Sequence, residues 1–267
     1  MFNRLFICLF LVAMFFGFGC DTTQQSQTGD SSDIQGLKLA DLQAKDFQKT
    51  ESILSFSVLS YVLDANSLDA MEGVVDILSY RDIDYDNAES FKANGFFVCK
   101  GEHRQGSQLA QKLRSIGAVR MGQISLSVPF GVDEPFCGVD ITESMSIIYS
   151  TSLTGLGGAT LPRGKLGWIL SVQDDSPVRG LVHLRLGPAF WERGIRDLRL
   201  LEGKDPYQYQ LFNMGGVDMQ LEVGEFLVLG TNRSEGRQNT LNSLLFELPE
   251  QNKVRFFVII FTGQRGG

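Results

Sequence analysis

Three aspartates stand at alternate positions: Asp82, Asp84 and Asp86, followed by Asn87 and Glu89. Carboxylates at this density could hold a hard cation, and an extended segment would put all three on one side. The group is a weak candidate for calcium. It departs from an EF-hand loop, because Asn87 stands where the glycine belongs and the twelfth position is Ala93. Other site chemistry has less to build on. His103 and His183 are about eighty residues apart, and neither belongs to an H-x-x-x-H pair. Gly155-Leu156-Gly157-Gly158 lacks the third spaced glycine of a dinucleotide fingerprint. Neither a P-loop nor a Gly-x-Ser-x-Gly elbow occurs. No catalytic residue and no metal site is assigned beyond that candidate, and an enzyme is less expected than a binding protein. Hydrolysis would have to rely on carboxylates alone, which leave no spacing signature.

The most informative residues come first in the chain. Asn3 and Arg4 precede an unbroken apolar run of twelve, Leu5 to Phe16. A bilayer needs roughly 20 apolar residues, so this run reads as the core of a secretory signal over 1–19. Gly17-Phe18-Gly19 then leads into Cys20. This junction resembles the lipobox of bacterial lipoproteins, although Gly17 stands where leucine is preferred and Phe18 is bulky. The resemblance implies cleavage before Cys20, a covalent lipid on that cysteine with palmitate-type acyl chains, and attachment to a membrane of the bacterial cell envelope. Inner and outer membrane both stay open, as does an ordinary signal cut near Gly19 that leaves Cys20 free. Residues 20–36 suit a lipid-anchored tether, since Ile34 is the only large apolar residue from Asp21 to Gly36. Such a segment buries too little surface to offset its ordering entropy.

With Cys8 in the signal and Cys20 acylated, Cys99 and Cys137 remain. An oxidising periplasm favours a disulfide between them; two buried thiols are the other reading. The formal charge of −7, with no Lys/Arg cluster, argues against nucleic acid and against electrostatic docking on anionic lipid.

The expected fold is α+β, an αβ unit over 37–138 followed by a β-rich unit over 139–267. In the first, Leu54, Phe56, Val58 and Val62 mark a strand. A helix capped by Asn66 or Ser67 follows, with Leu68, Met71, Val74, Val75 and Leu78 on one face. Phe96 to Val98 is a strand and Gln108 to Ile116 a helix. Ile124, Leu126 and Val128 alternate in a third strand, which completes β-α-β-α-β. In the second unit, short strands are expected at Met145–Leu153, Leu166–Gln173, Gly180–Leu186, Tyr207–Phe212, Val217–Glu222, Phe226–Leu229, Leu241–Leu248 and Val254–Phe261. This spacing predicts a sandwich or partly closed barrel. Val182, Leu184 and Leu186 should face the core, with His183 and Arg185 outside. The apolar run Phe256 to Phe261 should be a central strand covered on both faces. Phe190 and Trp191 could anchor a partner or plug the end of a sandwich. The connection Pro129 to Gly138 is too short for a free linker, which leaves room for one shared core.

Three stretches carry a faint second likeness: Val182 to Pro188, Val223 to Gly230, and the final apolar strand after Leu244-Leu245-Phe246. Together they resemble the β-module of bacterial secretins, with Thr231 where a second glycine is common. The likeness hints at an envelope scaffold and names no site residue. The leading expectation is therefore a non-catalytic envelope lipoprotein that binds or scaffolds a protein partner. The alternative is a carboxylate-based hydrolase or ligand-binding lipoprotein.

Two or three acyl chains on Cys20, at about 0.8 kcal/mol per buried CH2, would hold the protein stably where one chain is marginal. Cys20→Ser should lose both incorporation of labelled fatty acid and membrane association. Labelling equal to wild type would remove the anchor.

Overall fold

The computed structural model describes residues 53–151, 155–173, 180–192, 209–212, 216–234, 236 and 239–265. The signal, Cys20 and the tether lie outside the described residues. The fold is mostly β, with few short helices and two antiparallel sheets stacked as a sandwich. It is not a closed barrel.

The first sheet is built on long strands. β1 (Ile53–Asp64) pairs along its whole length with β14 (Lys253–Arg265) on one side, and with β4 (Val119–Pro129) on the other. β14 continues to β12 (Phe226–Thr231), and β12 to β3 (Phe96–Gly101). The short β13 (Glu247–Leu248) also leans on β14. The second sheet runs β2 (Ile83–Tyr85), β11 (Val217–Glu222), β9 (Leu181–Glu192), β8 (Gly164–Gln173), β5 (Asp133–Ile141). β10 (Tyr209–Leu211) pairs with the end of β9. A separate hairpin joins β6 (Met145–Tyr149) to β7 (Gly157–Leu161). Each sheet contains strands from both sides of residue 138, so the αβ and β-rich stretches share one core.

Period-two burial explains the pairing of faces. From the first sheet Phe56, Val58, Val128, Leu227, Leu229, Phe257, Ile259 and Phe261 point into the sandwich. They meet Leu166, Trp168, Leu170, Leu184, Leu186, Val217 and Leu221 of the second. The alternate residues of the first sheet, among them Phe97, Val228, Phe256 and Val258, form a second cluster on its far side. A 310 turn (Ala65–Met71), α1 (Glu72–Val75) and α3 (Gly106–Ser115) cover that cluster with Leu68, Met71, Val74, Leu109 and Leu113. The run Phe256 to Phe261 is apolar throughout because both faces of β14 are covered.

Beyond the short elements Ile83–Tyr85, Ala88–Ala93 and Gly157–Leu161, which the sequence reading lacked, three more differ from it. The first helix is mostly a 310 turn, opened by Asp64 accepting from the Asn66 N–H at 2.9 Å; Asn66, Ser67, Asp69 and Gly73 give little support to a regular helix. Asp133–Ile141 is a strand despite Pro135 and Gly138, because it lies at the edge of its sheet and absorbs a bulge near the positive-φ Cys137. Leu241–Phe246 is helix α4 rather than a strand. Thr240 accepts from the Ser243 N–H at 3.1 Å, and the Ser243 hydroxyl answers the Thr240 N–H, which closes a capping box. The far end of α4 is held by Arg255, whose Nε donates to the Leu245 carbonyl at 2.6 Å.

Trp168 stands at the centre. Its ring lies 5.4 Å from Phe96, 5.9 Å from Phe246 and 6.5 Å from Phe91 on α2 (Ala88–Ala93). Edge-on contacts of this kind add to area burial. Trp168→Ala should cost about 3–5 kcal/mol in denaturant unfolding. A loss below about 1 kcal/mol would mean that this cluster does not join the sheets.

Candidate functional site

The outward face of the second sheet carries a polar row that crosses all five strands of its main path. Asp84 on β2 opposes Asp218 on β11, Asp218 opposes Arg185 on β9, Arg185 opposes Ser171 on β8, and Ser171 opposes Asp133 on β5. Directly opposed residues share a face, so period two turns the inward apolar rows into this outward one. Beside it lies a groove of about 620 Å³, whose wall includes Asp86, Asp133, Ser171 and Arg185, with Ile169, Pro188 and Leu211 as its apolar part.

Arg185 organises the row. Its Nη1 donates to Asp218 Oδ2 at 2.6 Å, and its Nη2 donates to Asp86 Oδ2. Asp86 also accepts from the Gly216 N–H at 2.8 Å, while its own N–H donates to the Gly216 carbonyl at 3.1 Å. A side chain at Gly216 would press on the Arg185 guanidinium, at 3.1 Å from Nη2. Burial pushes the Asp218 carboxyl up, and Arg185 pulls it back. Its second oxygen, Oδ1, is buried without a hydrogen-bond partner. The arrangement is a charge clamp that fastens edge strand β2 to β9 and β11. Both carboxylates are engaged by one permanently charged group, which suits recognition better than proton transfer.

The calcium candidate divides. Asp82 has a positive φ of 63°, which takes it out of the extended run, so only Asp84 lies on β2, with Asp86 in the bend that follows. Asp86 is committed to Arg185 and Gly216. Among the described residues no group of three His, Cys, Asp or Glu could hold a metal ion. His183 faces Gln220 and Gln173 across the strands, on the outward face as expected. His103 sits in the 310 turn His103–Gln105. Trp191 is laid over Gly138 and Gly167, and Phe190 belongs to the inner core, so both serve packing. The secretin-like stretches fall in β9 and β12 and in α4 with β14.

Cys99 and Cys137 are free thiols. Cys99 belongs to the helix-covered cluster, whereas Cys137 packs on the cluster between the sheets, so the first sheet stands between them. Burial pushes each thiol up to about 12, which leaves both unreactive.

A second surface feature is the edge of the first sheet. Among the described residues β4 pairs only with β1. Leu126 and Val128 point inward, but Val119, Met121 and Ile124 are 56%, 61% and 44% exposed. A register shift opposite Ser60 and Tyr61 bulges the strand at Met121. Arg120 is the one charged residue from Val119 to Pro129, and it hydrogen-bonds Gln123.

An acid whose folded pKa is raised holds its proton in the folded state at a pH where the unfolded chain has released it. Stability from Asp218 is therefore greatest at low pH and falls as pH rises through the folded pKa. Asp218→Asn should flatten the part of the stability profile that begins in the ordinary carboxylate range and runs upward through the raised folded pKa. An unchanged slope in denaturant titrations would assign the effect elsewhere. No family model, curated protein or solved structure matches this chain.

Proposed function

We propose that the protein is a non-catalytic, lipid-anchored module of the bacterial cell envelope that docks an extended segment of a partner protein along β4. The open edge carries this reading. An unpaired strand edge presents a row of N–H and C=O groups that an added strand can satisfy, with side-chain contacts supplying selectivity. Val119, Met121 and Ile124 leave apolar area uncovered beside that edge. A single positive charge with no acid favours a segment with apolar side chains and an acidic residue near Arg120. In a chain of net charge −7, this acid-free stretch repels an acidic partner little. The lipobox-like junction at Cys20 and the polar tether after it would hold such a module at a membrane while leaving the edge free to engage.

A second reading, a ligand-binding lipoprotein, draws on the groove beside Arg185. Its size lies within the range of small-molecule sites. The clamp on Asp86 and Asp218 weighs against carboxylate hydrolysis there, because neither acid is left to act alone.

Cross-linking in intact cells tests the docking reading. The wild-type chain should give a specific protein adduct, and Ile124→Lys together with Met121→Lys should reduce it by about tenfold or more without unfolding the body. An adduct that persists in the double variant would remove β4 as the docking edge. Absence of any adduct, with turnover of an envelope polymer by the full chain, would overturn the binding role.

A further inference from the structure

The edge strand β4 presents different chemistry on its two faces. Ile124 opposes Val58, Leu126 opposes Phe56 and Val128 opposes Leu54, so all three share the inner face of the sandwich. Val128 and Leu126 are buried there, whereas Ile124 is exposed. The core between the sheets therefore opens towards the start of β4. Gly122 opposes Ser60 and Val119 opposes Val62, on the same inner face. A Cβ at Gly122 would meet nothing within 4 Å, so the space beside Ile124 is unfilled.

The opposite face is polar. Ser125 opposes Ser57, Gln123 opposes Leu59 and Arg120 opposes Tyr61. Arg120 Nη2 donates to Gln123 Oε1, and Gln123 Nε2 donates to Ser57 Oγ at 2.7 Å. A guanidinium can only donate, which fixes the orientation of the Gln123 amide. Ser57 and Gln123 thus brace Arg120 at the surface. Among the described residues Arg120 has no ion pair, and its other N–H groups remain for a carboxylate. Met121 is the extra residue of the bulge, which is why residues three apart, Arg120 and Gln123, share a face. A bulge deters casual pairing at an edge, so side chains must set the register of any strand that is added.

From these two faces we infer the sequence class of the docked segment: an antiparallel strand whose residues run apolar, polar, apolar, acidic. Its first residue lies against Ile124, its third fills the space over Gly122, and its acid meets Arg120. Ile124 and Arg120 are four residues apart in β4, but the bulge makes the matching positions of the partner three apart, on opposite faces. The inference rests on the docking reading of β4 and adds to it the order and spacing that the edge selects.

The test uses the full chain in detergent and a dye-labelled, end-blocked heptapeptide, Val-Thr-Val-Thr-Leu-Glu-Val, followed by fluorescence anisotropy. A second peptide exchanges the adjacent Leu and Glu, which keeps composition and charge but turns the acid to the inner face. A third carries Gln in place of Glu. The first should bind saturably and the other two about tenfold or more weaker. Arg120→Gln should abolish the difference between the first and third peptides. Gly122→Leu, into open space, should weaken the first peptide by occupying the seat of its leucine. Equal binding of the first and second peptides, or an acid preference that survives Arg120→Gln, would overturn the inference, and loss of binding in Ile124→Lys would show that β4 still docks a strand. No saturable binding of any peptide would also overturn it, and the in-cell adduct then judges the edge on its own.

Discussion

The contact on which everything else rests is the aromatic junction between the sheets. Trp168 reaches from β8 to Phe96 on β3, and Phe246 on α4 and Phe91 on α2 close around the pair. Two sheets and two end helices meet in one place. Without it the outward row on the second sheet and the open edge of the first would belong to separate objects. The indole Nε1 has no hydrogen-bond partner, an expense accepted for the size of the ring.

From that junction the two faces of each sheet acquire different duties. The first sheet is apolar on both sides, since helices close its back. Among the described residues its apolar side chains reach solvent chiefly at the rim, where β4 runs past the end of its cover. The second sheet is apolar only within, so its outward face can afford charge. Arg185 holds that charge in order: it draws Asp86 in from edge strand β2 and balances Asp218 beneath it. The clamp thereby secures a strand of only three residues, Ile83–Tyr85, that pairing alone would hold poorly.

Local patterns were legible where burial followed a single period. Val182, Leu184 and Leu186, and likewise Val217, Met219 and Leu221, announce their strands and their inward faces. Leu241 to Leu248 did not, because six apolar or small residues in a row fit a buried helix as well as a strand, and the Thr240–Ser243 box that decides the matter is a modest signal. The sharing of one core across residue 138 was also hidden, for it depends on β14 entering between β1 and β12. The sites lie deeper still. Arg185 reads as one more outward residue, and its acids at positions 86 and 218 come to it only through sheet order.

The pairing of β1 with β14 joins Ile53 to Arg265, across about two hundred residues. The middle strand of this sheet is made only after the roughly two hundred residues that separate it from β1, so the sheet cannot close earlier. Until β14 is available, β4 is the one native sheet neighbour open to β1, and the other edge of β1 lacks its partner. Acquisition of the native sheet is therefore governed by closure of a very large loop. During that interval the exposed apolar surface and the unpaired strand edge make the chain prone to aggregate.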